Sequence, residues 1–196
     1  MQARRVVVRS LLAFVVAVFV ADPWCFPGLT QQKYPGELSA EQRRALEISI
    51  STNAAPSGFF SAGEASKKLR FTAGEDVNVG IVITNTEIEP LKICAFSNPY
   101  YQNRPDLLRD GKPLAYSERV SESVRQSDRG TCEVTRMPDV VGLKPNAPLR
   151  VPSIQLQEWY GPLKPGQYKL TLKRTFACCA DGALKPSNQI GFEVTP

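Results

Sequence analysis

The sequence FTAGEDVNVGIVITN, residues 71–85, decides the fold class of this chain. TAGED has the composition of a turn, and apolar side chains then occupy every second position, at Val77, Val79, Ile81 and Ile83. Because successive side chains of a strand point to opposite faces, this period of two predicts a β-strand with one face in a hydrophobic core.

The same alternation recurs on both sides of this stretch. Before it, Leu46, Ile48 and Ile50 predict a first strand, and after it residues 91–96 predict another. The pair Asp110-Gly111 lies between two apolar runs, which predicts a hairpin with a two-residue turn.

The C-terminal half continues the pattern. Pro152 interrupts a strand at about 149–155 and indicates an edge or a bulge. Two alternating strands follow, with Tyr168, Leu170 and Leu172 inward in the first and Ile190, Phe192 and Val194 inward in the second; Lys169, Thr171 and Lys173 point outward. Seven or eight short strands of this kind are typical of an antiparallel β-sandwich.

Little helix is expected. Sixteen prolines and 13 glycines favour short elements joined by turns. Ser39, with Gln42 three residues later, is a capping-box pattern that predicts one short helix at about 40–45. Residues 53–67 are interpreted as a loop, and the polar residues 117–130 as a long loop with room for one helical turn.

The segment LKPGQYKL, residues 163–170, resembles the tyrosine corner of immunoglobulin-like and fibronectin-like sandwiches. In that motif Pro165 and Gly166 turn the chain between the two sheets. The Tyr168 ring packs in the core while its hydroxyl bonds to main chain upstream.

The wider layout resembles a group of exported bacterial immunoglobulin-like proteins, mostly of unknown function. The matching segments are Phe71 to Asn85, Asp110 to Pro113, Leu163 to Leu170 and Ser187 to Pro196, so the resemblance covers about residues 46–196. It implies an immunoglobulin-like sandwich over 46–196. The layout is also similar to small immunoglobulin-like proteinase inhibitors, which act through end loops, although no loop here matches an inhibitory motif.

The N-terminus has the features of a secretory signal peptide. Three arginines precede an apolar run, Leu11 to Ala21, which at 11 residues is shorter than the roughly 20 of a membrane span. We expect residues 1–21 to be cleaved, an uncleaved membrane anchor being the alternative, and residues 22–45 to form a loose segment with the short helix. The product would be periplasmic or extracellular, with no membrane span.

Five cysteines, Cys25, Cys94, Cys132, Cys178 and Cys179, lie past the signal sequence. Exported cysteines usually form disulfides. In the strand order of such sandwiches, Cys94 lies near the end of the strand that carries Cys178 and Cys179. The resemblance therefore implies a bridge from Cys94 to one of these two and from Cys132 to the other, with Cys25 left over. A vicinal 178–179 bridge, a thiolate metal site and a redox dithiol are the alternatives.

Two aromatic pairs, Tyr100-Tyr101 and Trp159-Tyr160, are candidates for an exposed binding surface near the 176–186 hairpin. The alternative is that these rings pack at the edge of the core.

The composition excludes several function classes. The chain has no histidine, which removes Ser-His and Cys-His nucleophile pairs and His-bearing zinc sites. Removal of residues 1–21 takes away three arginines and lowers the formal net charge from +5 to +2, which gives no case for nucleic acid.

The sequence therefore predicts a non-enzymatic, exported binding module of the cell envelope with a protein partner. We expect no catalytic residue, cofactor or metal. The alternative is a proteinase inhibitor, and an enzyme is a distant third.

Overall fold

The computed structural model describes residues 38–53, 69–96, 98–129, 139–178 and 182–196. These residues form ten strands and four helices, in chain order α1 Ala40–Arg44, β1 Leu46–Asn53, β2 Arg70–Thr72, β3 Asn78–Asn85, β4 Leu91–Phe96, α2 Pro99–Gln102, β5 Asn103–Arg109, β6 Lys112–Pro113, α3 Glu118–Asp128, β7 Asp139–Leu143, β8 Pro148–Gln155, α4 Leu156–Tyr160, β9 Gly166–Arg174 and β10 Lys185–Thr195. The chain is thus mostly β, as predicted, although its described residues form ten strands and not the expected seven or eight. The predicted signal sequence, the rest of the N-terminal segment to residue 37 and residues 54–67 of the predicted loop lie outside the described residues, whereas Asn53 ends β1.

A three-stranded antiparallel sheet has the order β1-β3-β8. Its register places Ile48 beside Ile83 and Ile50 beside Ile81. The register of β3 with β8 shifts between Val79 and Ile81, opposite the stretch of β8 that contains Pro152. Strand β8 is an edge of this sheet, so Pro152 lies both on an edge strand and at a bulge.

A five-stranded sheet has the order β2-β10-β9-β5-β6. All its neighbours are antiparallel except β2, which runs parallel to β10. The β5–β6 hairpin turns at Asp110 and Gly111, which have φ of 50° and 79°. Both values lie in the left-handed region that a two-residue Asp-Gly turn requires, so the predicted hairpin is confirmed.

Both sheets contribute their apolar faces to one core. It includes Ile81 from β3, Leu107 from β5, Leu170 from β9 and Phe192 from β10. Tyr168 stacks on Phe192 with ring centroids 5.0 Å apart. The inward set predicted for β9 and β10 is confirmed, since each of its six members is buried.

A third sheet pairs β4 with β7. The backbone N–H of Cys94 in β4 also donates to the carbonyl oxygen of Phe176, just past β9, at 3.1 Å. Strand β4 therefore lies against the end of β9 while β5 pairs with β9 along its length.

Helix α1 has the predicted capping box. The Gln42 backbone N–H donates to the Ser39 hydroxyl at 3.1 Å, and the Ser39 backbone N–H donates to the Gln42 side chain at 2.9 Å. These bonds satisfy two donors that the helix end leaves without an intrahelical partner.

The prediction of a single short helix is wrong. Residues 118–128 form the 11-residue helix α3, and further short helices precede β5 and follow β8. Val120 and Val124 lie four residues apart and pack on the core from one face of α3. Too few apolar residues carry this period for it to stand out from the polar sequence around it.

Candidate binding surface

A disulfide joins β4 to the end of the segment after β9. Cys94 and Cys178 are bonded, with their Cα atoms 5.2 Å apart and a sequence separation of 84. The sequence analysis predicted that Cys94 is bonded to either Cys178 or Cys179, and the structure has the bridge to Cys178. The predicted bridge from Cys132 to Cys179, and Cys25, lie outside the described residues.

Next to this bridge a buried guanidinium ties β4 to β5. Arg174 is 1% exposed. Its Nη1 donates to Asn103 Oδ1 at 2.6 Å and its Nη2 donates to the Ala95 carbonyl oxygen at 2.6 Å. Burial lowers the pKa of Arg174 to about 10. The end of β9 is therefore held by directional bonds as well as by the disulfide.

Four aromatic rings pack together beside β5. Trp159 of α4 contacts Tyr100 at 5.3 Å and Tyr116 at 5.4 Å between ring centroids. Tyr116 in turn lies 5.4 Å from Tyr160. The Arg119 guanidinium covers the outer face of Tyr100 at 6.0 Å. Tilted and edge-on pairs of this kind favour a rigid cluster.

This cluster changes the role of the predicted aromatic surface. Trp159 is 1% exposed and belongs to the core, so it is corrected from a surface residue to a packing residue. Tyr100 and Tyr160 are half-buried against it, which matches the edge-of-core alternative. Tyr101 lies next to Tyr100 in α2, where its carbonyl oxygen accepts a bond from Arg104 Nη1 at 3.0 Å.

The free edge of β5 is closed by two of these tyrosines. The hydroxyls of Tyr116 and Tyr160 both donate to the carbonyl oxygen of Pro105, the former at 2.9 Å. Because proline has no backbone N–H, its carbonyl oxygen is the only polar backbone group at this position. The two bonds from the tyrosines therefore satisfy the edge of β5 here. Burial raises the pKa of Tyr116 to about 12, and the charge of Asp106 adds to the rise. Burial likewise raises the pKa of Tyr160.

A groove of about 660 Å³ opens between this edge and the outer face of the five-stranded sheet. We call it the β5 groove. Its apolar wall consists of Leu114, Ala115, Tyr116 and Tyr160, and Leu108 lies on its floor. The volume falls in the range of small-molecule and peptide pockets.

The opposite side of the β5 groove is polar. We call this side the polar strip, and it consists of Asp106, Lys169, Thr171, Lys173 and Gln189. Strand register sets its layout, because Thr171 pairs with Asp106 on one side and with Gln189 on the other. Lys173 Nζ lies 2.7 Å from Asp106 Oδ2.

Three members of the polar strip have no internal partner. Within the described ranges, the side chains of Lys169, Thr171 and Gln189 make no hydrogen bond or ion pair. On the same strand, by contrast, both terminal nitrogens of the Arg174 guanidinium donate hydrogen bonds inside the protein. The groove thus presents unpaired polar groups opposite an apolar wall, an arrangement suited to binding.

The sequence analysis placed only part of this surface. It assigned Lys169, Thr171 and Lys173 to the outer face of their strand from the period of two. It did not bring Asp106 or Gln189 to them, because strand order and register are not visible in a local pattern. Tyr116 was missed for the same reason, since its neighbours in space come from distant segments.

The tyrosine-corner residues lie at the start of β9. Pro165 is exposed in the turn and Gly166 follows it with φ of 155°. The Tyr168 hydroxyl donates to the carbonyl oxygen of Lys164 at 2.5 Å, and the ring is 2% exposed.

Two further observations concern the described part of the chain. None of its helices is long and apolar enough to cross a membrane. It holds no group of three or more Cys, Asp or Glu side chains arranged to bind a metal ion.

No family model matches this chain, and no curated protein matches it.

Proposed function

We propose that this protein is an exported, non-enzymatic binding module of the cell envelope, with an immunoglobulin-like fold, and that it holds a protein partner in the β5 groove. The observation that carries the proposal is the groove itself. Its polar strip, in which Lys169, Thr171 and Gln189 have no partner among the described residues, faces an apolar wall built on strands and packed rings.

The strand order supports the immunoglobulin-like fold. The sheets β1-β3-β8 and β2-β10-β9-β5-β6 correspond to an A-B-E sheet and an A′-G-F-C-C′ sheet of such sandwiches. The bond from Tyr168 to Lys164 supports the assignment of β9 to strand F. Strands β4 and β7 and helix α3 are additions to that plan.

The disulfide supports export. A bridge between Cys94 and Cys178 forms and persists in an oxidising compartment. The proposed signal peptide at residues 1–21 would deliver the chain there. Expression of the full chain, followed by fractionation and intact-mass measurement, tests this step. Export without cleavage would favour the membrane anchor, and retention in the cytoplasm would contradict export.

The non-enzymatic assignment rests on the sequence and on the nature of the groove. The chain has no histidine, the commonest general acid and base. The one carboxylate in the groove, that of Asp106, is held by Lys173. The groups that line the β5 groove are therefore suited to binding a partner and not to catalysing a reaction.

Site-directed photocrosslinking in the native envelope tests the binding site. A benzophenone amino acid replaces Gln189 in the polar strip, and the matched control carries it at Ser49. Both positions are exposed on strands, and Ser49 lies on the three-stranded sheet. We expect a discrete crosslinked protein from position 189 and none from position 49.

Two outcomes contradict the proposal. Equal crosslinking from positions 189 and 49 would show that the contact is not specific to the β5 groove. The absence of any product from position 189, with the variant exported and folded, would show that no protein occupies the groove.

A further inference from the structure

One charge in the β5 groove has no neutralising partner in the part of the chain that the structure describes. The lining residues that carry a charge at neutral pH are Asp106, Lys169 and Lys173. Asp106 and Lys173 are paired at 2.7 Å, whereas Lys169 makes no ion pair among the described residues. The groove therefore presents one unpaired ammonium group, which is complementary to a carboxylate.

The surroundings of Lys169 show what kind of carboxylate would fit. Leu108 stands directly opposite Lys169 on β5, and the apolar wall begins beside it. On the other side Lys169 pairs with Gly191, which has no side chain, so that flank is open. The open side at Gly191 leaves room for a carboxylate to reach the Lys169 ammonium. An apolar group next to that carboxylate could then pack on Leu108.

The spacing of the polar strip favours an extended chain. Lys169 and Thr171 lie two residues apart on β9, about 6.6–6.8 Å along the strand. In an extended peptide, alternate side chains have the same spacing. In a peptide running along β9, one side chain would lie at Lys169, and the side chain two residues further along would lie at Thr171 and Gln189. The side chain between these two would face away from the sheet.

We propose that the occupant of the β5 groove is an extended peptide segment of the partner that carries an acidic residue flanked by apolar ones. The acidic side chain binds Lys169, and an apolar neighbour packs on Leu108 and Leu114. This inference rests on the proposed function, because it names the chemistry of the partner at the same site.

The test uses three pools of capped hexapeptides. The third position is fixed as Glu, Gln or Lys, and the others are randomised over Leu, Val, Tyr and Ser. Each pool is titrated into ¹⁵N-labelled protein, and backbone amide shifts are followed. We expect the Glu pool to move the signals of Leu108, Lys169 and Thr171, and the Gln and Lys pools to bind at least about threefold more weakly.

Two charge-matched variants localise the effect. Lys169→Gln should weaken binding of the Glu pool by about 2- to 5-fold, the range for an exposed ion pair. Lys92→Gln removes the same charge from an exposed position on β4 and should leave binding unchanged. Raising NaCl from about 0.05 to 0.5 M should reduce the advantage of the Glu pool over the Gln pool.

Three results would overturn the inference: equal binding of the three pools, preference for the Lys pool, or a Lys92→Gln effect as large as that of Lys169→Gln. A parallel titration with cellohexaose tests for a sugar. Shifts at the polar strip with cellohexaose and none with the Glu pool would assign the groove to carbohydrate.

Photocrosslinking at position 189 separates this inference from the proposed function. A protein crosslinked there, together with pools that bind equally, refutes the acidic peptide but leaves the binding module intact. No crosslink and no pool binding refutes both.

Discussion

Asn188 occupies the place of a neighbouring strand at the open edge of β1 by pairing with Ile50. Its side-chain oxygen accepts from the Ile50 N–H at 2.7 Å, and its side-chain nitrogen donates to the Ile50 carbonyl oxygen at 3.4 Å. The register of β10 with β9 shifts between Pro186 and Gln189, which frees Asn188 to reach across to the other sheet. An amide side chain thus joins two sheets and blocks an edge open to another chain.

Asn188→Ala should lower the free energy of unfolding by about 1 kcal/mol, because the Ile50 N–H loses its partner. Urea unfolding measures the loss, and hydrogen exchange of the Ile50 amide should accelerate. Gln189→Ala, one residue along and without internal bonds, is the matched control and should change stability by less than about 0.5 kcal/mol. Equal effects of the two variants would contradict the role of Asn188.

Replacing Cys94 and Cys178 together by Ala should lower the free energy of unfolding by about 2–4 kcal/mol, since the bridge closes a long loop of the unfolded chain. The measurement is urea unfolding of both proteins without reductant. The double variant should lose further stability with dithiothreitol if the proposed bridge between Cys132 and Cys179 exists. No further loss would argue against that second bridge.

Gly166→Ala should lower the free energy of unfolding by about 1–3 kcal/mol. The residue has φ of 155°, which L side chains rarely adopt, and an added Cβ would lie 3.0 Å from both Arg109 Cγ and Asp110 Oδ2. Gly142→Ala is the control, because it lies in a strand with nothing within 4 Å of the new Cβ. Thermal unfolding of the two variants tests the difference, and similar melting temperatures would refute it.

Alkaline pH should weaken the fold through the two tyrosines on Pro105. Burial raises the folded-state pKa of Tyr116 from its ordinary value of 10.0 to about 12, so the folded state holds the proton more tightly than the unfolded state. The stabilisation is complete below pH 10 and is lost as pH rises from about 10 towards 12.

Tyr116→Phe removes this titration. The variant should be less stable at pH 8 by about 1 kcal/mol, because the Pro105 carbonyl loses one donor, but its stability should fall less between pH 10 and 11.5. Urea unfolding at a series of pH values, with tyrosinate absorbance as a second readout, measures both. Parallel pH profiles for the two proteins would contradict the assignment.

The elements that were predicted correctly are those that depend on residues close together in the sequence. The alternation from Val77 to Ile83, the turn at Asp110-Gly111 and the capping box at Ser39 depend on neighbours within a few residues, and each appears as predicted. Helix α3 was missed because Val120 and Val124 alone carry its apolar period. The contacts that hold it come from distant segments: Val120 is buried in the core, and Asp128 forms an ion pair with Arg104 at 2.6 Å.

By itself, the sequence determined that the chain is mostly β and which faces of its alternating strands are buried, while the family resemblance implied the bridge from Cys94 to Cys178 or Cys179. The tertiary structure alone decided which residues form a surface. It placed Trp159 in the core and Tyr116 on the groove wall, and it brought Asp106, Thr171 and Gln189 into one row from three strands. The physical reason is that strand faces follow from the period of two, whereas the neighbours across a sheet follow from strand order and register, which long-range packing sets.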